Sequence, residues 1–233
     1  MKNAPNKQYN IASSNSLPVR IATKQRRRIF DDFLNVCSVS RDELVLDIGV
    51  TSDKSYSSSN YLEAWLVNKS RIIAVGIDDA SCLEKLYPGL KYLKANGLYL
   101  PFLNKSVDIV HSSAVIEHVG SFANQVKFIS ECARVSKKSF YITTPNRYYP
   151  IEFHTILPIV HWLPKKLFRF FLRCIGFDFF SMEQNLNLMS KRDLNIAARL
   201  ALCDTNFNFE IRNVKLMGWA SNLILNGSVN KDS

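Results

Sequence analysis

The 233-residue sequence lacks paired cysteines, long apolar runs and internal repeats. Its five cysteines lie far apart with no Cys-x-x-Cys pair, which excludes a zinc ribbon and favours reduced thiols in a cytoplasm. The most apolar stretch, residues 156–163, is too short to cross a bilayer. The first seventeen residues are polar and do not have the apolar centre of a signal peptide. We therefore expect a cytoplasmic protein, and no metal site is predicted.

Two segments contain no acidic residue, and together they account for the net charge of +10. Residues 1–30 hold seven lysines and arginines, and residues 156–176 hold four. The rest of the chain is nearly neutral, with 19 basic and 20 acidic residues. A groove for nucleic acid would need basic residues spread around the functional site. The charge pattern therefore argues against a nucleic-acid partner, and it predicts a disordered basic arm over residues 1–18 ahead of one domain over 19–233.

Five short apolar segments with the pattern of buried β-strands alternate with segments of helical period. The predicted strands are residues 43–49, 71–78, 91–95, 107–112 and 139–144, and the predicted helices are 19–36, 57–67, 83–87, 121–135 and 190–202. Two further strands, 207–217 and 220–225, would close the sheet as a hairpin. The alternation predicts an α/β fold of the Rossmann-like, doubly wound kind. Its sheet would be seven-stranded and mostly parallel, with a C-terminal antiparallel hairpin and a helical insert after strand 5.

Polar residues stand at the carboxyl ends of the predicted parallel strands, where ligands gather in open α/β sheets. Asp47 and Gly49 end the first strand, and Asp78 ends the second. Asn96 follows the third strand, and Ser112 ends the fourth. A glycine lets a cofactor approach the backbone, and an acid after the second strand can accept hydrogen bonds from ribose hydroxyls. The pattern favours an adenine-containing cofactor, but a single glycine in the first turn does not make the Gly-x-Gly-x-x-Gly fingerprint of NAD enzymes.

Four motifs, in order along the chain, resemble those of the class I S-adenosylmethionine-dependent methyltransferases, small-molecule branch. They are Val45-Leu46-Asp47-Ile48-Gly49, Ala74-Val75-Gly76-Ile77-Asp78, Ala95-Asn96-Gly97 with Leu100-Pro101-Phe102, and Val107-Asp108-Ile109-Val110 with Glu117-His118-Val119. The resemblance implies S-adenosyl-L-methionine as the cofactor, Asp78 as the ribose-binding acid, and Asn96 with Gly97 beside the adenine. Asn96 stands where the family often has aspartate. The activity implied is methyl transfer.

The first motif departs from the family at its glycine-rich turn, which usually continues as Gly-x-Gly-x-Gly. Here Gly49 is followed by the residues Val-Thr-Ser-Asp. One interpretation is a rebuilt loop whose hydroxyl and amide groups hold the methionine part of the cofactor. The polar candidates in that loop are Thr51, Ser52, Ser57, Ser58 and Asn60. The alternative is a degenerate methyltransferase fold that has lost cofactor affinity and acts as a binding or scaffolding protein.

Residues 147–189 interrupt the alternation after the fifth strand, and we expect them to form a lid over the acceptor. Asn146 and Tyr149 are candidate acceptor-binding residues. His154, close to Glu152, is the candidate catalytic base for a hydroxyl acceptor, with Glu152 as its catalytic partner. An equally weighted alternative is that these two side chains pair for structural reasons alone. His118 starts a helix in this pattern, and we expect it to brace the sheet.

A basic amphipathic helix is predicted over residues 165–175. Lys165, Lys166, Arg169 and Arg173 share one face of a helical wheel, and six apolar residues share the opposite side. Such a helix can lie on an anionic membrane surface, or it can cover the domain while its basic face meets water. The sequence therefore predicts methyl transfer to a small or lipid-linked acceptor, at a hydroxyl oxygen, by a cytoplasmic protein with a candidate membrane-peripheral face.

Overall fold

A computed structural model describes residues 17–53 and 58–229, and these residues form one seven-stranded sheet in the order β3-β2-β1-β4-β5-β7-β6. The strands are β1 (Val45–Ile48), β2 (Ile72–Gly76), β3 (Lys91–Lys94), β4 (Val107–Ser113), β5 (Ser136–Pro145), β6 (Phe207–Leu216) and β7 (Trp219–Val229). The first five strands pair in parallel, whereas β7 runs antiparallel to both β5 and β6. The predicted doubly wound, mostly parallel sheet with its closing hairpin is confirmed.

Helices cover both faces of this sheet. They are α1 (Leu17–Val36), α2 (Tyr61–Trp65), α3 (Cys82–Leu86), α4 (Phe122–Val135), α5 (Lys165–Cys174), α6 (Asp178–Ser181) and α7 (Lys191–Leu202). On one face α4 and α7 bury Phe128 and Leu194 against the sheet. On the other face α1, α2 and α3 bury Phe33, Leu62 and Leu83. The apolar cores lie on the two faces of the sheet. Polar side chains can therefore occupy the edge formed by the carboxyl ends of the strands.

Local sequence explains where the longer helices begin. The Ser121 hydroxyl accepts a hydrogen bond from the backbone N–H of Asn124, 3.2 Å away, at the start of α4. Ser190 and Asp193 form a reciprocal capping box at the start of α7. Helix α1 begins at Leu17, and residues 1–16 of the predicted basic arm lie outside the described residues.

Several elements differ from the sequence-based prediction in length; strand β7, for example, covers Trp219–Val229 instead of 220–225. Helix α2 covers only Tyr61–Trp65 of the predicted 57–67, since the chain turns extended at Leu66. Strand β5 starts at Ser136, three residues earlier than predicted, because α4 passes directly into it without a loop. The early start lets Ser136 pair with Val107 of β4 at the amino end of the sheet.

The insert after β5 has a small apolar core of its own. That core consists of Phe168, Leu172, Phe180, Leu186 and Leu188. Only two members of the apolar side of α5, Phe168 and Leu172, are buried. Leu167 and Phe170 are 55% and 66% exposed. Helix α5 therefore presents apolar as well as basic side chains at the surface.

Across residues 17–53 and 58–229, none of the helices has both the length and the apolar character that crossing a membrane requires.

Candidate active site

The turn after β1 requires a glycine at position 49. Gly49 has φ +105°, and its N–H donates to the Val75 carbonyl oxygen of β2 at 2.7 Å. A Cβ atom at this position would lie 2.1 Å from Cγ2 of Val115, which belongs to the segment after β4. A side chain at position 49 is therefore excluded both by the positive φ and by the lack of room beside Val115. The first turn and the segment following β4 are in direct contact at the carboxyl edge of the sheet.

The loop that replaces the usual glycine-rich turn is held by the side-chain amide of Asn60. Its Oδ1 accepts from the Thr51 N–H at 3.0 Å, and its Nδ2 donates to the Thr51 carbonyl at 2.9 Å. The Thr51 hydroxyl accepts from the Asp53 N–H at 3.2 Å, and the Ser59 hydroxyl donates to the Asp53 carboxylate at 2.8 Å. These polar residues therefore build a defined loop from their own hydrogen bonds. Ser52, in the same loop, is exposed, and Ser57 lies outside the described residues.

A buried polar cluster lies beneath this turn. The Nδ1–H of His111 donates to Asp47 at 2.6 Å, and its Nε2 accepts from the Tyr61 hydroxyl at 2.9 Å. Burial lowers the pKa of His111 to about 4, so the ring is neutral. Burial raises the pKa of Asp47 to about 7. Burial and the charge of Asp47 raise the pKa of Glu63 well above its usual range. Burial therefore favours the protonated, uncharged form of Glu63.

The residues predicted to bind the adenosine half of the cofactor lie along the edges of β2 and β3. Asp78 is exposed two residues beyond β2, and its backbone carbonyl accepts a hydrogen bond from the Tyr92 hydroxyl. The side chain of Asn96 accepts from the N–H of Leu98 at 2.9 Å, which fixes the turn after β3. That turn lies beside β2, since the N–H of Ala95 donates to the Gly76 carbonyl at 3.0 Å. The structure therefore places Asp78 and Asn96 at neighbouring strand ends.

Two further predicted cofactor residues have evident packing roles. A Cβ on Gly97 would come within 2.7 Å of the Phe128 ring, so this glycine allows the turn to sit on α4. The Ser112 hydroxyl is fully buried and donates to the Ile48 carbonyl at 3.0 Å, which links β4 to β1. Their part in cofactor binding stays a prediction.

A cleft of about 80 Å³ opens between the first turn, α2 and the end of β4. Its lining includes Arg26, Asp47, Gly49, Asn60, Ser113 and Ala114. Arg26 projects from α1, and its guanidinium donates to the Ser58 hydroxyl at 3.2 Å. The cleft thus combines a cation with the polar loop and the only glycine of the first turn.

On the acceptor side, Glu152 is a buried carboxylate surrounded by donors. His154 Nδ1 lies 2.6 Å from Glu152 Oε1, and the His154 backbone N–H donates to the same oxygen at 2.9 Å. The backbone N–H and the hydroxyl of Thr155 both donate to Glu152 Oε2 at 2.6 Å. Burial opposes ionisation of Glu152, but the hydrogen bonds and the charge of His154 outweigh it and lower its pKa to about 2. The same pairing raises the pKa of His154 despite burial. The predicted pair is therefore formed.

His118 also joins this pair, whereas the sequence pattern favoured a bracing role. Its Nε2 lies 3.0 Å from Nε2 of His154, and its Nδ1 donates to the backbone carbonyl of Asn185 at 2.6 Å. The neighbouring Glu117 is fully buried and accepts a hydrogen bond from Thr144, at the end of β5, at 2.9 Å. The segment after β4, the end of β5 and the insert therefore meet in one polar cluster.

Comparison with known proteins shows a likeness to methyltransferases. Residues 46–142 match a family model described as "Methyltransferase domain". Over 81 residues the chain is 37% identical to a "Probable S-adenosylmethionine-dependent methyltransferase" of Mycobacterium tuberculosis (strain CDC 1551 / Oshkosh). Over these residues the chain is similar to S-adenosylmethionine-dependent methyltransferases. The aligned segment covers 33% of this chain and 28% of the relative's length.

Solved methyltransferases share the fold over most of the chain. Magnesium protoporphyrin IX methyltransferase from Synechocystis PCC 6803, with bound SAH, is 13% identical with a TM-score of 0.56. The match covers 92% of this chain and 88% of that chain. Burkholderia thailandensis 1,6-didemethyltoxoflavin-N1-methyltransferase, with bound S-adenosylhomocysteine, is 11% identical with a TM-score of 0.58, and the match covers 91% and 81%. At these identities the likeness concerns the fold.

The two residues predicted to bind the acceptor are joined by a hydrogen bond from the Tyr149 N–H to the Asn146 carbonyl at 2.9 Å, but their side chains have different surroundings. Asn146 donates from Nδ2 to the Ala220 carbonyl at 2.8 Å and lines a separate cleft of about 270 Å³ between β7 and the start of α7. Tyr149 is buried, with its ring stacked on Phe153 at 5.2 Å and its carbonyl accepting from His161 Nε2 at 2.8 Å. Only Tyr149 belongs to the part of the insert that carries Glu152 and His154.

One functional candidate, Arg26, escaped the sequence-based reasoning, since it was one of several basic residues in a helical pattern and nothing in its spacing pointed to the cleft. Asn60 was predicted as a possible ligand group, but its amide holds the loop backbone. The contact of His118 with His154 joins residues 36 positions apart and depends on how the insert folds back.

Proposed function

We propose that this protein transfers the methyl group of S-adenosylmethionine to a hydroxyl oxygen of a small or lipid-linked acceptor. One observation carries the proposal: the cofactor-side turn and the polar cluster of the insert flank the same carboxyl edge of the sheet. The contact between Gly49 and Val115 connects the two, since Val115 precedes Glu117 and His118 by two and three residues. Donor and acceptor sites that adjoin in this way suit in-line transfer.

The described residues fit the cofactor along its length. We assign Asp78 to the ribose hydroxyls and the Asn96–Gly97 turn to the adenine. Arg26 would pair with the methionine carboxylate, because a guanidinium binds carboxylates with two parallel hydrogen bonds. The Thr51 backbone, which the Asn60 amide holds, belongs to the same loop. These hydrogen bonds support a working site over the degenerate scaffold, which would not need them.

We place the acceptor hydroxyl against the cluster of Glu117, His118, Glu152 and His154. Methyl transfer to a hydroxyl requires that its proton be removed, so polar groups must contact the oxygen. His154 is held by Glu152 and is 12% exposed at its side chain, so it can meet an incoming acceptor. Phe180, whose ring centre lies 5.7 Å from that of His154, gives the site an apolar wall.

The surface of the insert supports a lipid-linked acceptor. Leu167 and Phe170 on α5 are more than half exposed, next to Lys166 and Arg173, which are exposed as well. Exposed apolar side chains beside cations are the combination that binds anionic membrane surfaces. Lys165 and Arg169 are less available, because they contact Asn187 and Glu183 respectively. Membrane contact would therefore rest on the apolar pair together with two of the four basic residues.

Methyl transfer is tested by incubating the purified chain with methyl-labelled S-adenosylmethionine and hydroxyl-bearing acceptors, half of them free and half carrying a lipid chain. We expect label in a lipid-linked product, with an ether bond that survives mild base. Asp78→Ala should abolish transfer, because it removes the ribose contact. Label found only on nitrogen or carbon would refute the oxygen assignment, and cofactor binding without turnover on any acceptor would favour the scaffold.

Membrane contact is tested by co-sedimentation with vesicles of 30% phosphatidylserine in phosphatidylcholine. Leu167→Ser with Phe170→Ser should release the protein, whereas Leu103→Ser, at a leucine that is 82% exposed and far from the insert in sequence, should not. Equal binding by both variants would refute α5 as the membrane-facing element.

A further inference from the structure

The cluster at the end of β4 has the arrangement of a metal site. Side-chain ligand atoms of Glu117, His118 and His154 all lie within 4.8 Å of one another. The two histidines approach through Nε2 at 3.0 Å. Two nitrogen ligands about 2.0–2.1 Å from a tetrahedral ion are separated by ~3.4 Å. A movement of a few tenths of an ångström would therefore place one ion between the rings.

The second ring nitrogen, Nδ1, of each histidine also has a hydrogen-bonding partner, as is usual for metal-binding histidines. Nδ1 of His118 donates to the Asn185 carbonyl, and Nδ1 of His154 faces the Glu152 carboxylate. A carbonyl or a carboxylate on the far nitrogen fixes the ring and leaves Nε2 for the metal. Both supports come from the insert, so the same fold that brings His154 to His118 also orients both rings.

The third ligand is a buried carboxylate with an unused oxygen. Glu117 is fully buried, and its Oε2 accepts a hydrogen bond from Thr144. Its Oε1 has no hydrogen-bond partner among the described residues. A buried carboxylate oxygen without a donor is costly, and a cation would satisfy it. This orphaned oxygen is the observation that a simple histidine–histidine hydrogen bond does not explain.

We propose that Glu117, His118 and His154 bind one divalent transition-metal ion, such as Zn²⁺. Two imidazoles and one carboxylate form a ligand set of catalytic zinc, and they leave a fourth position open. A hard, oxygen-only ion such as Mg²⁺ suits this set less well, because two of the three ligands are nitrogens.

The open position gives the ion a role that rests on the proposed function. An acceptor hydroxyl bound there would release its proton to water more readily, as metal-bound water does. The oxygen would then attack the methyl carbon, forming the O–C bond as the S–C bond breaks. The sulfonium becomes a neutral thioether, S-adenosylhomocysteine. His154 would act as a ligand in this reaction, and Glu152 as the positioning residue behind it.

Metal binding is measured on the full chain after treatment with EDTA and removal of the chelator. We expect one equivalent of Zn²⁺ by calorimetry, and with Co²⁺ the visible absorption of a four- or five-coordinate complex. His118→Asn and His154→Asn should each weaken binding by at least about 100-fold, and Glu152→Gln by about 10–100-fold. His161→Asn is the matched control, since it removes a buried histidine of the same insert outside the cluster. Far-UV circular dichroism verifies that each variant is folded.

The proposal would be overturned if the chain did not bind Zn²⁺ or Co²⁺ at 1 mM. It would also be overturned if the His118→Asn and His154→Asn variants bound the metal as tightly as wild type. The outcome is separable from that of the proposed function. Cofactor binding without metal binding would refute the metal site but not the methyl-transfer function. Metal binding without any affinity for S-adenosylhomocysteine would refute the methyl-transfer function but not the metal site. If EDTA treatment abolishes methyl transfer and Zn²⁺ restores it, the metal site is required for the methyl-transfer reaction.

Discussion

The buried pair of Asp47 and Glu63 predicts an unusual dependence of stability on pH. Glu63 has no exposed surface, and both burial and the neighbouring carboxylate raise its pKa from the ordinary 4.5. The folded protein therefore keeps a proton that the unfolded chain releases above pH 4.5. The contribution of Glu63 to the free energy of unfolding is therefore fully present below pH 4.5. It is lost as the pH rises towards the raised pKa. The loss amounts to about 1.4 kcal/mol for each pH unit in that interval.

Glu63→Gln removes this titration while keeping the shape of the protonated side chain. We expect the variant to be within about 1 kcal/mol of wild type at pH 4.5, where wild-type Glu63 already holds its proton. As the pH rises, the variant should become progressively the more stable protein. Comparing the two proteins isolates Glu63, because the titrations of groups elsewhere in the fold are common to both.

The assay is urea unfolding followed by circular dichroism at half-unit intervals from pH 4.5 to 8, with the free energy of unfolding extrapolated to water. Glu210→Gln is the control, because Glu210 is 55% exposed and pairs with Arg212 at the surface. Its difference from wild type should stay below about 1 kcal/mol throughout. A free-energy difference between Glu63→Gln and wild type that does not change with pH would refute the raised pKa of Glu63.

Three substitutions around the cofactor cleft give further predictions. Gly49→Ala should destabilise the fold by about 2–4 kcal/mol through its positive φ and the contact with Val115, and Val115→Ala should recover part of that loss in thermal unfolding. Asn60→Ala should lower the free energy of unfolding by about 1–3 kcal/mol, since two bonds to Thr51 are lost, and limited proteolysis should then cut the loop faster. Arg26→Ala should weaken S-adenosylhomocysteine at least about tenfold in calorimetry, yet leave adenosine unaffected, because only the former has a carboxylate. Equal losses for both ligands would contradict that placement of Arg26.

The sheet could be predicted from sequence because its signals are local. Each parallel strand is a short apolar run that ends in a polar residue, and parallel strands place those ends along one edge. Asp47, Asp78 and Asn96 therefore lie on neighbouring strands, as expected. The closing hairpin was also visible as two runs with a short turn between them.

The acceptor side could be predicted only in part, since it depends on contacts distant in sequence. Glu152 and His154 are two residues apart, and their pairing was anticipated from that spacing. His118 is far from them along the chain and reaches them because residues 147–189 fold back over β4 and β5. The orphaned oxygen of Glu117 appears only when burial is known. Similarly, the exposure of Phe170 required the insert's own small core, which occupies Phe168 and Leu172 instead.

Calorimetric titration of the purified chain with S-adenosylhomocysteine tests the central claim most directly. The account predicts saturable binding with one site per chain, and loss of at least about 2 kcal/mol of binding free energy in Asp78→Ala, because the ribose hydroxyls lose a charged acceptor. Binding absent at millimolar ligand, in protein that unfolds cooperatively, would contradict it.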